Sequence, residues 1–234
     1  MTFNKHSLPT DWSVFMHSEA LAVAAVEQII TCAQDAISQR GEFHLVTAGG
    51  TTPTRCYELL RDTEQDWARW FIYMGDERVL PLLDKERNSV ALHQAWLSFG
   101  KIPSEQIFYM PTELGLQPAL AAYSNVVQKI ELFDLVLLGM GEDGHSASLF
   151  PGHESINLTQ DVIAETQSPK PPAQRLSLSY ARLNRSRNML KLISGKSKYE
   201  ALQAWLNGAI LPINQLHAQQ NNWVYLDESA WSGD

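Results

Sequence analysis

The sequence predicts an α/β fold with a largely parallel sheet and helices on both faces. Short apolar segments of strand length alternate along the chain with segments whose apolar residues recur at helical spacing. In addition, four polar, glycine-bearing segments each follow a strand candidate, namely AGGTTP, GDER, GMGEDGH and SGKSK. Ligands of parallel sheets bind beyond the carboxyl ends of the strands. The sequence therefore predicts a site at that edge, within a single domain over residues 1–234.

The first elements follow directly from periodicity and capping residues. Ser18 opens a stripe of apolar residues at 3.6-residue spacing, and Gly41 marks the end of this predicted helix. FHLVTA (43–48) is a strand candidate that ends in two glycines. Thr52 is a suitable cap for the next helix, and Pro53 suits a first helical turn.

The remaining segments continue the alternation of strands and helices. They are predicted in order as strand 69–74, helix 89–99, strand 107–110, helix 118–130, strand 133–138, strands 175–180 and 189–194, a helix over about residues 196–206, and strand 223–227, which would close the sheet. The proline-rich TQSPKPPAQ (166–174) is predicted as a surface loop.

Composition and charge exclude several classes of protein. A net charge of −8 argues against general binding to nucleic acid or to an acidic membrane surface. No apolar run approaches the roughly 20 residues that span a bilayer, and MTFNKHSLPTDW (1–12) lacks a secretory apolar region. Cys32 and Cys56 lack the spacing of a metal site and are interpreted as packing residues. We therefore expect a cytoplasmic protein with no nucleic-acid or membrane partner.

The basic residues are unevenly distributed. Residues 166–199 contain no Asp or Glu and hold eight of the 18 basic residues, here called the basic block: Lys170, Arg175, Arg182, Arg185, Arg187, Lys191, Lys196 and Lys198. A solvated basic face and a pocket for a small anion such as a phosphorylated metabolite explain such a block equally well. The block alone does not decide between them.

The segment GMGEDGHSAS (139–148) matches a dinucleotide-binding pattern only superficially. Its glycines have G-x-G-x-x-G spacing, but Pro151 follows Gly144 too soon for a helix that could pack against the sheet. Asp143 would also place a carboxylate where a pyrophosphate needs N–H groups. This interpretation is rejected.

The same segment nearly matches the nucleophile elbow of serine hydrolases. Ser148 stands where the second glycine of G-x-S-x-G should allow a tight turn. Asp161 and His217 could in principle complete a triad with Ser146, although such residues occur downstream in most chains. A Ser146 nucleophile is therefore the weaker hypothesis.

The interpretation that we favour takes His145 as the reactive group. A histidine in a glycine-flanked loop after a strand can reach a ligand, and its pKa range suits a general base. Asp143 could orient the imidazole and stabilise its protonated form. A surface histidine beside a turn aspartate is the ordinary alternative.

Three further segments predict an anion site beside this histidine. AGGTTP places consecutive N–H groups and two hydroxyls at a helix N-terminus, which suits a phosphate. Arg78 could add a guanidinium contact or pair with Asp76 or Glu77, and Lys198 follows a strand within the basic block. The seven histidines are scattered and form no H-x-x-x-H or HExxH unit, so no metal site is predicted.

Taken together, these motifs resemble the 6-phosphogluconolactonase family. The resemblance rests, in the family's order and spacing, on TAGGTTP, GDERVLPLLDKERNS, DLVLLGMGEDGHSASLFPG, SGKSKYEAL and WVYLDESA. The related glucosamine-6-phosphate deaminases share a G-x-D-G-H core but usually continue into Asn-Glu-Pro, where this chain has SLFP. The departures are small: Ala48 and Thr51 stand where the family commonly has serines, and Ser146 where it commonly has threonine.

The resemblance implies a Rossmann-like sheet and hydrolysis of 6-phospho-D-glucono-1,5-lactone in the oxidative pentose phosphate pathway, with no metal or organic cofactor. It implies that His145 is the general base and that Asp143 assists it. It also implies a set of residues at the phosphate or the sugar: Gly49, Gly50, Thr51, Arg78, Asn88 and Lys198. The expected partner is a phosphorylated sugar lactone, bound by a monomer or weak homo-oligomer.

Two other functions remain open at this stage. A sugar-phosphate deaminase or isomerase on the same scaffold would open an aldose ring instead of hydrolysing a lactone. A non-catalytic sugar-phosphate sensor would not need to keep His145 beside Asp143.

Overall fold

The computed structural model describes residues 8–153 and 158–234. Residues 1–7 of the segment MTFNKHSLPTDW, which was interpreted above, therefore lie outside the described residues. The strands are β1 (Trp12–Phe15), β2 (Phe43–Thr47), β3 (Trp70–Met74), β4 (Asp76–Arg78), β5 (Ile107–Phe108), β6 (Phe133–Gly139), β7 (Val162–Glu165), β8 (Arg175–Leu178), β9 (Ser186–Ile193) and β10 (Asn221–Asp227). The α-helices are α1 (Ser18–Arg40), α2 (Thr51–Arg61), α3 (Asn88–Ala95), α4 (Leu116–Val127), α5 (Tyr180–Asn184), α6 (Tyr199–Leu206), α7 (Pro212–Gln215) and α8 (Glu228–Ser232).

The main sheet confirms the predicted α/β fold. Seven strands lie in the order β1-β10-β9-β6-β2-β3-β5, and every neighbouring pair is parallel. Strand β6 lies at the centre, and its side chains from Phe133 to Leu138 are buried on both faces of the sheet. A strand with two buried faces needs a cover on each side, and the helices supply it.

Helix α1 shows how the apolar pattern directs packing. Its buried stripe, which includes Leu21, Ala25 and Ile29, packs against α2 and several strands of the main sheet. Gly41 ends the helix in the left-handed region, with φ of 83°. By length and composition alone, α1 would also pass as a membrane span, as buried core helices of globular proteins do.

A second, three-stranded antiparallel sheet was not predicted. Its order is β4-β8-β7, and β8 coincides with the segment 175–180 that the sequence analysis assigned to the main sheet. Strand β4 leaves β3 after the single residue Gly75, so Asp76 and Arg78 turn away from the parallel sheet. This small sheet forms one wall beside the carboxyl ends of the main strands.

Two local predictions need correction. Strand β10 lies inside the sheet, between β9 and β1, and β1 rather than β10 forms that edge. Helix α2 begins at Thr51 and is capped by Gly50, at φ of 109°, without a side-chain hydrogen bond, so Thr52 is not its cap. The glycine is needed there because a residue with a Cβ rarely adopts this conformation.

The register brings four loops together. Strand β6 pairs with β2 on one side and β9 on the other, and β3 pairs with β2, so the loops after these four parallel strands are neighbours at the carboxyl edge. The loop after β6 approaches the glycines after β2 closely: a Cβ on Gly139 would lie 3.6 Å from the carbonyl oxygen of Gly49.

Candidate active site

A cavity of about 410 Å³ opens at this edge of the sheet. That volume suits a small-molecule ligand. All but one of the predicted site residues line it, namely Gly49, Gly50, Thr51, Arg78, Asn88, His145 and Lys198. The exception is Asp143, which contacts the side chain of His145.

His145 and Asp143 form a short contact that fixes the histidine tautomer. The Nδ1 atom of His145 lies 2.5 Å from Oδ1 of Asp143, and the His145 backbone N–H donates to the same oxygen at 3.1 Å. A carboxylate can only accept, so Nδ1 carries the proton and Nε2 is left with its lone pair. Burial opposes ionisation of Asp143, but the hydrogen bond and charge of His145 outweigh it and hold the pKa of this carboxyl well below its usual range.

Two neighbours hold the imidazole ring from either side. A Cβ on Gly141 would lie 2.0 Å from Nδ1 of His145, so only glycine leaves room for the ring at that point. On the other side, the buried ring of Phe150 lies 4.8 Å from the imidazole centroid. The side chain of His145 keeps 17% of its surface exposed, which is compatible with contact to a ligand in the cavity.

The glycine loop (residues 48–50) and the first turn of α2 form the opposite side of the cavity. The first N–H groups of a helix have no acceptor within the helix, and the helix dipole makes them favour an anion. The loop itself is anchored by Tyr57. The hydroxyl of this buried residue accepts from the Ala48 N–H and donates to the Ala48 C=O, both at 2.9 Å. These features give the predicted phosphate cradle a rigid base.

Arg78 and Lys198 add positive charge to the cavity wall. Arg78 donates one guanidinium N–H to the carbonyl of Glu86, whereas its buried Nε has no hydrogen-bond partner within the described residues. Its side chain pairs with neither Asp76 nor Glu77, so the alternative raised by the sequence does not occur among the described contacts. Burial lowers the pKa of Lys198.

The basic block divides into two groups. Lys170 and Arg175 line the cavity together with Lys198. Arg175 is 4% exposed and donates to the carbonyls of residues 170–172, which holds the proline-rich loop against the cavity. Lys170 pairs with Glu142 at 3.8 Å. The sequence alone did not show whether these two residues reach the site. They reach it because the proline-rich loop and the start of β8 lie beside the cavity.

The other arginines of the block lie away from the cavity. Arg182 is fully buried, stacks on Phe133 and donates to the carbonyls of Val127 and Ile130. Arg185 pairs with Asp161, and Arg187 lies 3.4 Å from Asp134. These side chains are structural ion pairs and packing groups.

Asn88, Asp76 and Ser148 form a buried polar cluster in which Asn88 and Asp76 line the cavity and Ser148 lies behind them. The Asn88 side chain donates to Oδ1 of Asp76 at 3.0 Å, and the Ser148 hydroxyl donates to Oδ2 at 2.7 Å. Sequence analysis noticed Asp76 only as a possible partner of Arg78, and Ser148 only as a departure from the hydrolase pattern. No spacing rule connects two residues 72 positions apart, so this cluster had no signal in the sequence.

The dinucleotide interpretation, rejected from the sequence, and the weaker serine-hydrolase hypothesis both fail in the structure. Residues 141–153 form turns, and no helix begins at Gly144 to receive a dinucleotide. Ser146 donates to the carbonyl of Gly139, and Asp161 pairs with arginine, so neither belongs to a triad. Within residues 8–153 and 158–234, no group of three or more His, Cys, Asp or Glu side chains could hold a metal ion.

Comparison with known proteins identifies close similarity over most of the chain. Residues 16–225 match the family model described as glucosamine-6-phosphate isomerases/6-phosphogluconolactonase. The 6-phosphogluconolactonase of Mycobacterium tuberculosis is 32% identical over 235 residues, which cover 93% of this chain and 95% of that protein. The crystal structure of 6-phosphogluconolactonase from Thermotoga maritima superposes with a TM-score of 0.87 at 29% identity, covering 93% of this chain and 99% of that chain. A monomeric glucosamine-6-phosphate deaminase shares the fold, with a TM-score of 0.81 at 23% identity over 96% of this chain and 100% of that chain.

Proposed function

This chain belongs to the glucosamine-6-phosphate isomerase/6-phosphogluconolactonase family, and from that premise we propose that it hydrolyses 6-phospho-D-glucono-1,5-lactone to 6-phospho-D-gluconate. The reaction belongs to the oxidative branch of the pentose phosphate pathway. The observation that carries the proposal is the pairing, in one cavity, of an imidazole whose Nδ1 is held by a carboxylate with an anion cradle at a helix N-terminus.

The chemistry of the lactone matches what this cavity offers. A lactone is an activated ester, so water and a positioned base are sufficient and no covalent nucleophile or metal ion is required. His145 Nε2 takes a proton from the water that attacks C1, and Asp143 stabilises the imidazolium that forms. The imidazolium then returns the proton to the ring oxygen as the C1–O bond breaks, which completes the hydrolysis.

The positive side of the cavity binds the phosphate, which carries about −1.5 to −2 charges at neutral pH. We assign it to the N–H groups of Gly49, Gly50 and Thr51 and to the cations Arg78 and Lys198. Because the phosphate lies far from the reacting carbon, its binding energy serves to position C1 against the base. Asn88 lines the same cavity, and we assign it to the sugar.

The test is the decay of freshly generated 6-phosphogluconolactone, measured against its spontaneous hydrolysis with the wild-type protein and with His145→Ala. General base catalysis contributes about 10²–10⁴-fold, so we expect the variant to lose that factor in kcat while it still binds 6-phosphogluconate. His44→Ala is the matched control, because His44 also pairs with a carboxylate, Glu42 at 2.9 Å, but at the other end of the sheet. This control should keep the wild-type kcat.

Each outcome decides a separate part of the proposal. Acceleration that survives in His145→Ala would keep the lactonase function and remove the base assignment. Wild-type protein that stays at the spontaneous rate would overturn the function, and glucosamine 6-phosphate would then be assayed for deamination. Against deamination stands the segment that follows Ser148, where Leu149 and Phe150 are both buried rather than directed at a ligand.

A further inference from the structure

The base and the phosphate cradle are carried by different elements, yet they must keep a fixed separation. His145 lies on the catalytic loop (residues 140–149) after β6, whereas the glycine loop follows β2. In the substrate, the lactone ring and a short exocyclic linker keep C1 and the phosphate within a limited range of separations. A rotation of either loop would move the base away from C1 even with the phosphate fully bound.

A chain of buried contacts joins the two loops through a third. Ser148, on the catalytic loop, donates to Oδ2 of Asp76, and Asn88 donates to Oδ1 and, at 3.2 Å, to the Asp76 carbonyl. The Asn88 carboxamide lies directly against Gly49, where a Cβ would stand 2.2 Å from its Oδ1. Ser148, Asp76 and Asn88 are 0%, 6% and 8% exposed, so water does not compete for these bonds.

We propose that Asp76 is a positioning residue that sets the distance between His145 and the phosphate cradle. This inference rests on the proposed lactonase function. Its carboxylate suits the role because it accepts from both neighbours at once and needs no donor of its own. Asn88 is itself anchored, since its backbone N–H donates to the fully buried Glu77 at 2.8 Å.

The catalytic loop has a conformation that depends on such an anchor. Ala147 has a φ of 50°, the only positive φ of a non-glycine residue within the described part of the chain. Left-handed alanine is unfavourable and persists only where surrounding contacts enforce it. Ala147 lies between Ser146, bonded to the Gly139 carbonyl at 2.8 Å, and Ser148, bonded to Asp76.

Ser148 offers the cleanest test because its side chain cannot reach the substrate. It is fully buried, so Ser148→Ala removes the bond to Asp76 without changing a contact to the ligand. Ser186→Ala is the matched control: that serine is also fully buried and donates to a carbonyl at 2.8 Å, but at the amino end of β9. Asp76→Asn tests the same link more severely, because it removes the charge and replaces one acceptor by a donor.

The experiment compares each variant on 6-phosphogluconolactone and on glucono-1,5-lactone, which lacks the phosphate. A misplacement of about 1 Å can cost about 10²-fold in rate, so we expect kcat on the phosphorylated lactone to fall about 10-fold in Ser148→Ala and about 100-fold in Asp76→Asn. The rate on the unphosphorylated lactone should change by less than about threefold, because no phosphate fixes C1 there. The Kd for 6-phosphogluconate should stay within about twofold, since the cradle is intact.

These measurements separate positioning from general damage to the fold. A purely structural role would lower both lactone rates by the same factor, in step with the loss of folded protein seen by circular dichroism, and this result would overturn the proposal. Unchanged kcat in both variants would overturn it as well and leave the lactonase function standing. If the wild type does not exceed spontaneous hydrolysis, both proposals fall together. Ser186→Ala should match the wild type in all three readouts.

Discussion

The two ends of the main sheet use charge in opposite ways. At the carboxyl end, Arg78 and Lys198 line a cavity, and neither forms an ion pair with a carboxylate among the described residues. At the amino end, Asp134 is 3% exposed and pairs with Arg40 at 2.9 Å and with Arg187 at 3.4 Å. Positive charge is therefore kept available for a ligand at one end and neutralised within the protein at the other.

The difference explains why the basic block could not be interpreted from composition. Strand β9 crosses the sheet within the block, so Arg187 at its start lies at the amino end and Lys198 after it at the carboxyl end, whereas Lys170 and Arg175 reach the cavity from the proline-rich loop and the start of β8. Arg187 and Lys198 are eleven positions apart in sequence but lie at opposite ends of the main sheet. A run of like charge indicates a common surface only when no strand passes through it.

The largest effect is expected at the amino end. Asp134→Ala should lower the free energy of unfolding by about 3–4 kcal/mol, because it leaves Arg40 and the His44 backbone N–H without their acceptor and Arg187 without its ion-pair partner. Chemical denaturation monitored by circular dichroism measures this change. The kcat per folded molecule should stay within about twofold of wild type, since the loops of the cavity are at the other end of the strands. A loss of kcat in the folded protein would break the separation of the two ends.

We expect the stability of the protein to depend on pH because of a buried lysine that lies between the two ends of the main sheet. Lys191 lies in the middle of β9, is 4% exposed, and has the ring of Trp205 5.3 Å from its Nζ. Burial lowers its pKa from 10.5 to about 8. The unfolded chain therefore binds more protons between pH 8 and 10.5, and this residue's contribution to stability rises with pH across that window.

Lys191→Met should remove this dependence. At pH 7 the variant should be more stable by about 3 kcal/mol, because the pKa of Lys191 falls from 10.5 to about 8, each pKa unit corresponds to about 1.4 kcal/mol, and methionine has no charge to desolvate. The gain should shrink to near zero above about pH 10.5. Urea unfolding of both proteins from pH 7 to pH 10.5 measures the difference. If the free energies of unfolding of the two proteins differ by the same amount at every pH, Lys191 is solvated in the folded state.

The smallest effect is expected when Lys198 and Arg187, two members of the basic block, are each replaced by methionine. Lys198→Met should raise KM for the phosphorylated lactone about 10-fold, or about 1.4 kcal/mol, with little change in kcat, because it removes a cation from the cavity wall. Arg187→Met should leave KM unchanged. Steady-state kinetics on both variants give the answer. If Lys198→Met and Arg187→Met have the same KM, Lys198 does not contact the phosphate, and only Arg78 and the N-terminus of α2 bind it.

Much of the fold could be predicted because its signals are local. The periodicity of α1, the buried run of β6 and the glycines after β2 all lie within short windows, and the parallel sheet follows from their alternation. The family and its lactonase assignment are likewise confirmed by relatives that match nearly the whole chain. The roles of His145, Asp143 and the phosphate residues stay predictions.

The parts that sequence missed depend on contacts between distant residues. The small sheet arises because β4 turns after Gly75 to meet β8, about 100 residues later, and β4 is only three residues long. The Asp76–Ser148 bond likewise needs the fold before it can exist. Neither feature leaves a periodic pattern, and short strands offer too few residues for alternation to be recognised.

The pairing of β1 with β10 has a consequence for how the chain folds. The strand at one edge, residues 12–15, has residues 221–227 as its only partner strand within the described part of the chain, so this contact joins segments more than 200 residues apart. Contacts of such long range are entropically costly to close and slow the search for the native topology. During synthesis β1 must wait, unpaired, until residues 221–227 have left the ribosome. Strands β2, β3 and β6 have no such delay and can assemble first, so the edge formed by β1 is a late addition to a preformed central sheet.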